Sequence, residues 1–162
     1  MRVMGVDPGT ERTGYGVVDF FADRFTAAGY GCIKTSPALS LPARLHRIYE
    51  ELQKIIAVYR PERFAVEELF FNKNARTVMS VGQARGVAIL AAVNAGVAVS
   101  EYTPLQVKQA VTGYGRAAKD QVRYMVRAIL NLSTPPSPDD VADALALAIC
   151  DALFSSGGHR NG

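Results

Sequence analysis

The chain has 162 residues, nearly half of them apolar and a fifth charged, which fits one ordered domain burying about 70% of its unfolded surface and excludes a disordered polyelectrolyte. The longest apolar run, Val87 to Val93, is too short to span a bilayer, and Met1-Arg2-Val3 opens no signal-peptide pattern, so no membrane role and a cytoplasmic location are expected. The net charge of +3 is unevenly placed: residues 72–131 carry +6 and the remainder −3.

In chain order, Val3 to Val6, Gly14 to Asp19 and Phe25 to Thr35 read as three strands, parted by Pro8-Gly9-Thr10 and by a turn at Asp23-Arg24. They can pair as an antiparallel meander. Ser40 and Pro42 open a helix whose apolar positions Leu45, Ile48, Leu52, Ile55, Ile56 and Tyr59 keep the helical period until Pro61. Phe64 to Glu68 is a fourth strand, about Arg76 to Asn94 a long helix closed by Gly96, and Val97 to Tyr102 a fifth strand. Thr103-Pro104-Leu105-Gln106 is a capping-box pattern starting a short helix to Thr112. After Gly113-Tyr114-Gly115, Val122, Met125, Val126, Ile129 and Leu130 mark another helix, begun by Lys119. Pro135-Pro136 and a Ser137 cap then start a last helix reaching Phe154. Residues 1–154 are thus expected to form a single domain and 155–162 a disordered tail. Cys32, Cys150, His46 and His159 have no metal-ligand spacing; buried thiols and surface imidazoles are expected.

The chemistry concentrates in acids at element ends. Asp7 ends the first strand, Glu67 lies at the end of the fourth, and Asp140 and Asp143 fall in the first turns of the last helix, three residues apart and so on one face. Ala142, Leu145, Ile149, Ala152 and Leu153 are expected on the opposite, packing face. Two bare carboxylates about 4 Å apart repel by roughly 4 kcal/mol at a surface-like dielectric, so a convergent cluster needs cations, and hard oxygen ligands suit magnesium or manganese. Periodicity leaves two choices open: Asp139 against Asp140, since any acid in a first turn is favoured by the helix dipole, and Glu67 against Glu68, which alternate. The basic residues Lys73, Arg76, Arg85, Lys108, Arg116, Lys119, Arg123 and Arg127 beside such a crevice suit a polyanion held by its phosphates, although Arg123 and Arg127 serve equally well as solvated helix faces.

The element order resembles the ribonuclease H-like fold, an α/β arrangement with a five-stranded mixed sheet flanked by helices. More specifically, Gly5-Val6-Asp7-Pro8-Gly9, Ala65-Val66-Glu67-Glu68-Leu69-Phe70, Gly82-Gln83-Ala84-Arg85-Gly86, Gln106-Val107-Lys108-Gln109 and Asp140-Val141-Ala142-Asp143-Ala144-Leu145-Ala146 occur in an order that resembles the RuvC family of Holliday-junction resolvases. The resemblance implies a metal-dependent endonuclease of recombination and repair that nicks four-way junction DNA symmetrically. It assigns metal binding to Asp7, Glu67, Asp140 and Asp143, with histidine replacing Asp140 in some members. Two ions then flank the phosphodiester and a 5′-phosphate and 3′-hydroxyl result. It further implies a catalytic or near-catalytic Lys119, DNA binding by Lys108, base stacking by Phe70, and a homodimer through the helix from Arg76 to Asn94. A branch-migration complex is a further expected partner. Arg76, behind Asn72-Lys73-Asn74, and Arg116 are candidate phosphate contacts. Rivals are another ribonuclease H-like nuclease acting on a flap, hybrid or damaged DNA; a phosphate-binding ATPase of the actin and sugar-kinase type, from Asp7-Pro8-Gly9-Thr10; and a DNA-binding scaffold without catalysis.

Overall fold

The computed structural model describes residues 1–69 and 75–157, except the side chain of Arg76. Strands β1 (Arg2–Asp7), β2 (Arg12–Phe21) and β3 (Arg24–Lys34) form the expected antiparallel meander. Helix α1 (Leu41–Tyr59) leads to β4 (Arg63–Glu67), α2 (Ala75–Asn94) to β5 (Ala98–Tyr102), and α3 (Pro104–Thr112), α4 (Lys119–Ile129) and α5 (Asp139–Gly157) complete the chain. Both crossovers through α1 and α2 return parallel strands, giving one mixed sheet ordered β3-β2-β1-β4-β5.

Strand alternation sorts the sheet into two faces. Met4, Val6, Val17, Phe64 and Val66 pack against Ile48, Leu52 and Ile56 of α1 and Ala84, Ala88, Ala91 and Ala92 of α2. Val3, Val18 and Ala65 point the other way, onto α5 and, beyond it, α3 and α4. By the same parity Asp7 and Glu67 fall on the α5 side. Glu68 lies one residue past the end of β4 and is exposed.

Local signals set most boundaries. The Ser40 hydroxyl accepts the Ala43 N–H, and Arg60 closes α1 in the left-handed region at φ 49°. Thr103 and Gln106 form the full reciprocal box at the start of α3. Three expectations need correction. Helix α5 begins at Asp139, two residues past Ser137, and its first turn closes through Val141 N–H to Pro138 C=O, so Ser137 does not serve as the cap. It also runs to Gly157, three residues beyond Phe154. Nor does α5 have one packing face: all of Val141 to Ala152 except Asp143 is buried, because the sheet covers one side and α3 and α4 cover the other.

Two glycines allow α5 to lie on the sheet. A Cβ at Gly5 would stand 1.9 Å from the Ala144 carbonyl oxygen, and one at Gly14 would stand 2.2 Å from that of Asp140. Backbone therefore meets backbone, and the first turns of α5 reach the end of β1.

Candidate functional site

The carboxyl ends of β1 and β4 are adjacent, with Val6 paired to Val66 in parallel register, so Asp7 and Glu67 leave neighbouring strands one residue later. Gly14 is the cross-strand partner of Asp7 and also the point at which Asp140 touches the sheet. Asp7, Glu67 and Asp143 line one cleft of about 340 Å³, together with Lys108 of α3, Lys119 and Val122 of α4, and Ala146 and Leu147 of α5. The strand ends, two helix starts and one helix flank thus gather acids and lysines that are as far apart as residues 7 and 143 in the chain.

Burial sets the electrostatics. Removal from water, followed by the charges of Asp143, Asp140 and Glu67, pushes the carboxyl of Asp7 up to about 8, and a hydrogen bond with Asp140 adds to the rise. Asp143 is also raised, first by burial, with the Lys119 ammonium opposing and Asp140 and Asp139 reinforcing. Lys119 Nζ stands 3.8 Å from Asp143 Oδ2 and 3.7 Å from Asp139 Oδ2. One oxygen of Asp140, Oδ2, is shielded from water and receives no hydrogen bond; Arg12 Nε lies 3.3 Å away as its counter-charge. Among the described residues no three His, Cys, Asp or Glu side chains converge on one point at ligand distance. The donor chemistry nevertheless fits a hard cation: hard oxygens alone, one of them a buried acceptor that receives no hydrogen bond, and a buried Asp7 carboxyl whose upward shift a bound cation would oppose.

The remaining expectations divide. Asp139 turns outward to Arg123, at 3.0 Å, as well as to Lys119, which separates it from the inward Asp140. Arg127 donates to the carbonyls of Leu132 and Ser133 and so closes the end of α4, rather than only solvating a helix face. Arg116 is exposed on the loop before α4 and does not line the cleft. Phe70 and Lys73 lie outside the described residues, as does the side chain of Arg76. His46 is on the surface beside Glu50, His159 is outside the described residues, and both cysteines are free thiols, Cys150 buried and Cys32 half-buried. Among the described residues no helix is long and apolar enough to cross a membrane.

Sequence reasoning missed Arg12 and read Arg85 only as one of the basic residues suited to a polyanion, whereas the structure shows it bracing the strand end. Arg85 Nε donates to the Glu67 carbonyl at 3.0 Å while its Nη2 pairs with Glu101 at 2.9 Å, tying α2 to the strand end that carries Glu67. Neither pairing has a short-range sequence signal. The only cue for Arg85 was an arginine standing among the small apolar residues of a packing helix.

The chain matches the family model for crossover junction endodeoxyribonuclease RuvC over residues 3–151. A crossover junction endodeoxyribonuclease of Pelotomaculum thermopropionicum is 60% identical over 152 residues, covering 94% of this chain and 93% of that protein. Its counterpart in Desulforamulus reducens is 56% identical over 156 residues, covering 96% of each. The solved structure of Thermus thermophilus RuvC in complex with Holliday junction substrate superposes with a TM-score of 0.92 at 42% identity, over 98% of this chain and 96% of that one. The yeast mitochondrial Holliday junction resolvase, at 11% identity and a TM-score of 0.66, shares the fold. With the sequence match running through Asp7, Glu67, Asp140 and Asp143, this chain belongs to the RuvC family of crossover junction endodeoxyribonucleases.

Proposed function

We propose that the protein resolves Holliday junctions in homologous recombination and repair by paired, symmetric phosphodiester hydrolysis, leaving 5′-phosphate and 3′-hydroxyl ends. The observation that carries this reading is the single cleft in which Asp7, Glu67 and Asp143 meet Lys108 and Lys119. Asp7, Glu67, Asp140 and Asp143 would hold magnesium, with manganese a substitute and two ions per site. Bound there, the ions would supply Lewis acidity on both sides of the scissile phosphate.

The protein's own groups do the rest. Four carboxylates repel a phosphodiester, so the polyanion is drawn to the rim by Lys108, Lys119 and Arg116 and enters only once the acids are neutralised. Lys119 starts α4, whose positive dipole end adds to its ammonium. From 3.8 Å beyond Asp143 it can donate to a non-bridging phosphoryl oxygen as charge builds there. Arg85 holds the main chain at Glu67, fixing the carboxylate's origin. Lys73, Arg76 and the ring of Phe70 follow β4 in sequence, where the basic groups would contact phosphates and the ring would stack on a base unpaired at the crossover.

A junction with two-fold symmetry requires two equivalent sites, and a homodimer supplies them. Helix α2 supports this: Met79, Leu90 and Val93 are exposed, and a Cβ at Gly86 would meet nothing within 4 Å, leaving room for close approach of a second copy. A branch-migration complex would present the junction to that dimer.

The test is incubation with mobile and fixed four-way junctions in magnesium, with cuts mapped on all four strands. Symmetric nicks on two opposed strands, ligatable through 5′-phosphates, are expected. Asp7→Asn, Glu67→Gln, Asp140→Asn and Asp143→Asn should each lower cleavage by more than about 100-fold while junction binding persists. Unpaired random nicks, or cutting by Asp7→Asn at the parental rate, would overturn the reading.

A further inference from the structure

The strand bearing Glu67 and the helix bearing Asp140 and Asp143 are tied a second time, away from the cleft, at the start of β4 and inside α5. Asp151 lies in α5 eight residues past Asp143, and Arg63 opens β4 four residues before Glu67. Arg63 Nε donates to Asp151 Oδ2 at 2.6 Å and Nη2 to Oδ1 at 3.0 Å; the Tyr102 hydroxyl also donates to Oδ1, at 2.7 Å. The same Nη2 donates to Ser100 Oγ at 2.8 Å, so α5, β4 and β5 share one network. The Asp151 side chain is wholly buried.

A carboxylate in this place is not needed for packing. Its neighbours in α5 are Leu147, Ala148, Ile149, Cys150 and Ala152, all buried, and an apolar pair of similar volume often replaces a buried ion pair without loss of stability. What a two-pronged guanidinium–carboxylate contact adds is directionality: it holds at one axial offset, whereas apolar surfaces slide. The offsets agree. Helix α5 runs from Gly14, beside Asp7, past Gly5 toward the start of β1, and β4 is parallel to β1, so α5 and β4 are antiparallel. From Arg63 to Glu67 is about 13 Å along a strand, and from Asp151 to Asp143 about 12 Å along a helix. Fixing the pair at one end therefore brings Glu67 and Asp143 to the same height at the other.

We propose that Arg63 and Asp151 are positioning residues: their ion pair, wholly buried on the Asp151 side, sets the axial register of α5 against β4, and with it the separation of Glu67 from Asp140 and Asp143. This rests on the metal-binding role proposed for those carboxylates, and the test keeps the two claims apart. The triple variant Arg63→Met with Asp151→Leu, made together with Tyr102→Phe so that no buried hydroxyl loses its acceptor, substitutes an apolar pair, while Arg63→Lys keeps the charge but loses the fork. Measured on the DNA-free proteins are thermal unfolding and manganese affinity by calorimetric titration; on the junction complex, affinity in calcium and single-turnover cleavage in magnesium.

The triple variant should unfold close to the parent temperature and bind the junction equally well, yet bind manganese at least fivefold more weakly and cleave at least tenfold more slowly. Arg63→Lys should fall between it and the parent in both. Parental manganese affinity and parental cleavage in the triple variant would overturn the positioning role, and the same result in Arg63→Lys overturns it should the triple variant not fold. Asp143→Asn is the control: if it binds manganese as the parent does, the metal-binding assignment has failed, whereas its loss of manganese beside an unaffected triple variant removes only the register claim.

Discussion

Arg12 Nε stands 3.3 Å from Oδ2 of Asp140, an oxygen shielded from water that accepts no hydrogen bond. The guanidinium is half exposed, so it can leave, and the pair holds a position that a bound cation would contest. A partly exposed pair of this kind is worth about 0.2–1 kcal/mol. Removing it should therefore favour the cation modestly. Arg12→Ala is expected to fold normally and to lower the magnesium concentration for half-maximal cleavage by about 1.5- to 5-fold. A rise in that concentration would mean that Arg12 instead orients Asp140 for binding.

The proton on Asp7 gives the metal-free protein a predictable pH dependence. Burial, with Asp143, Asp140 and Glu67 nearby, raises this carboxyl from an ordinary 3.8 to about 8 in the folded state. The folded protein then binds the proton more tightly than the unfolded chain, so the stabilisation is complete below pH 4 and is lost as pH rises through about 8. Each unit corresponds to about 1.4 kcal/mol, and a protein of this size shifts by about 2–4 °C per kcal/mol. Asp7→Asn should consequently unfold at a temperature higher than the parent, by on the order of 10 °C or more at pH 8.5 without metal, and its unfolding temperature should vary less between pH 5 and 8.5. Asp143, raised for the same first reason, leaves a residual slope. Magnesium should flatten the parent's profile by replacing the proton. Identical profiles for parent and variant in calorimetry would contradict this account.

Lys119 is within reach of both Asp139 and Asp143, and these two contacts predict different behaviour. A lysine that only holds phosphate loses affinity when truncated; one that meets charge developing on the phosphorus loses rate. Lys119→Ala is expected to reduce single-turnover cleavage at saturating enzyme by about 100-fold, with junction affinity in calcium changed by less than about fivefold. Asp139→Asn, which leaves the ammonium paired with Asp143, should be nearly silent. A loss confined to affinity would return Lys119 to phosphate contact alone.

Much of this was legible because its causes are local. Pro8-Gly9 stops β1 at Asp7, Ser40 and Pro42 open α1, and Thr103 with Gln106 opens α3; each is a contact within four residues. The same holds for the acids, since a strand end or first helical turn is visible in the spacing of apolar residues. What stayed hidden is long-range. Arg63 meets Asp151 across 88 positions and Arg12 meets Asp140 across still more, with no period to announce either. The uniform burial of α5 had a visible trace in Val141 to Ala152, too apolar for an amphipathic surface helix. Within that run Asp151 was an anomaly without an evident partner. The start of α5 was misread because Ser137 carries the usual capping chemistry, yet the helix opens two residues later.

Gly5 and Gly14 both lie under α5, but at different distances from the acids, and their alanine variants should separate fold from site. At Gly5 a methyl would be driven into the Ala144 carbonyl at 1.9 Å and the Ala148 nitrogen at 2.8 Å, in the middle of the helix. No flexible side chain is there to yield, so the helix must lift along its length and the core beneath it opens, a change expected to cost more than about 3 kcal/mol. The three atoms nearest a methyl at Gly14 all belong to Asp140, its carbonyl oxygen, carbonyl carbon and Cβ, in the first turn, where the helix end can tilt away. Gly14→Ala should therefore lose about 1–2 kcal/mol of stability and yet cut at least tenfold more slowly, because the tilt draws Asp140 from Asp7. Chemical denaturation and single-turnover cleavage on the two variants distinguish the cases: Gly5→Ala fails first in stability and Gly14→Ala first in rate, and a Gly14→Ala protein that cuts like the parent would show that Asp140 need not be held against Asp7.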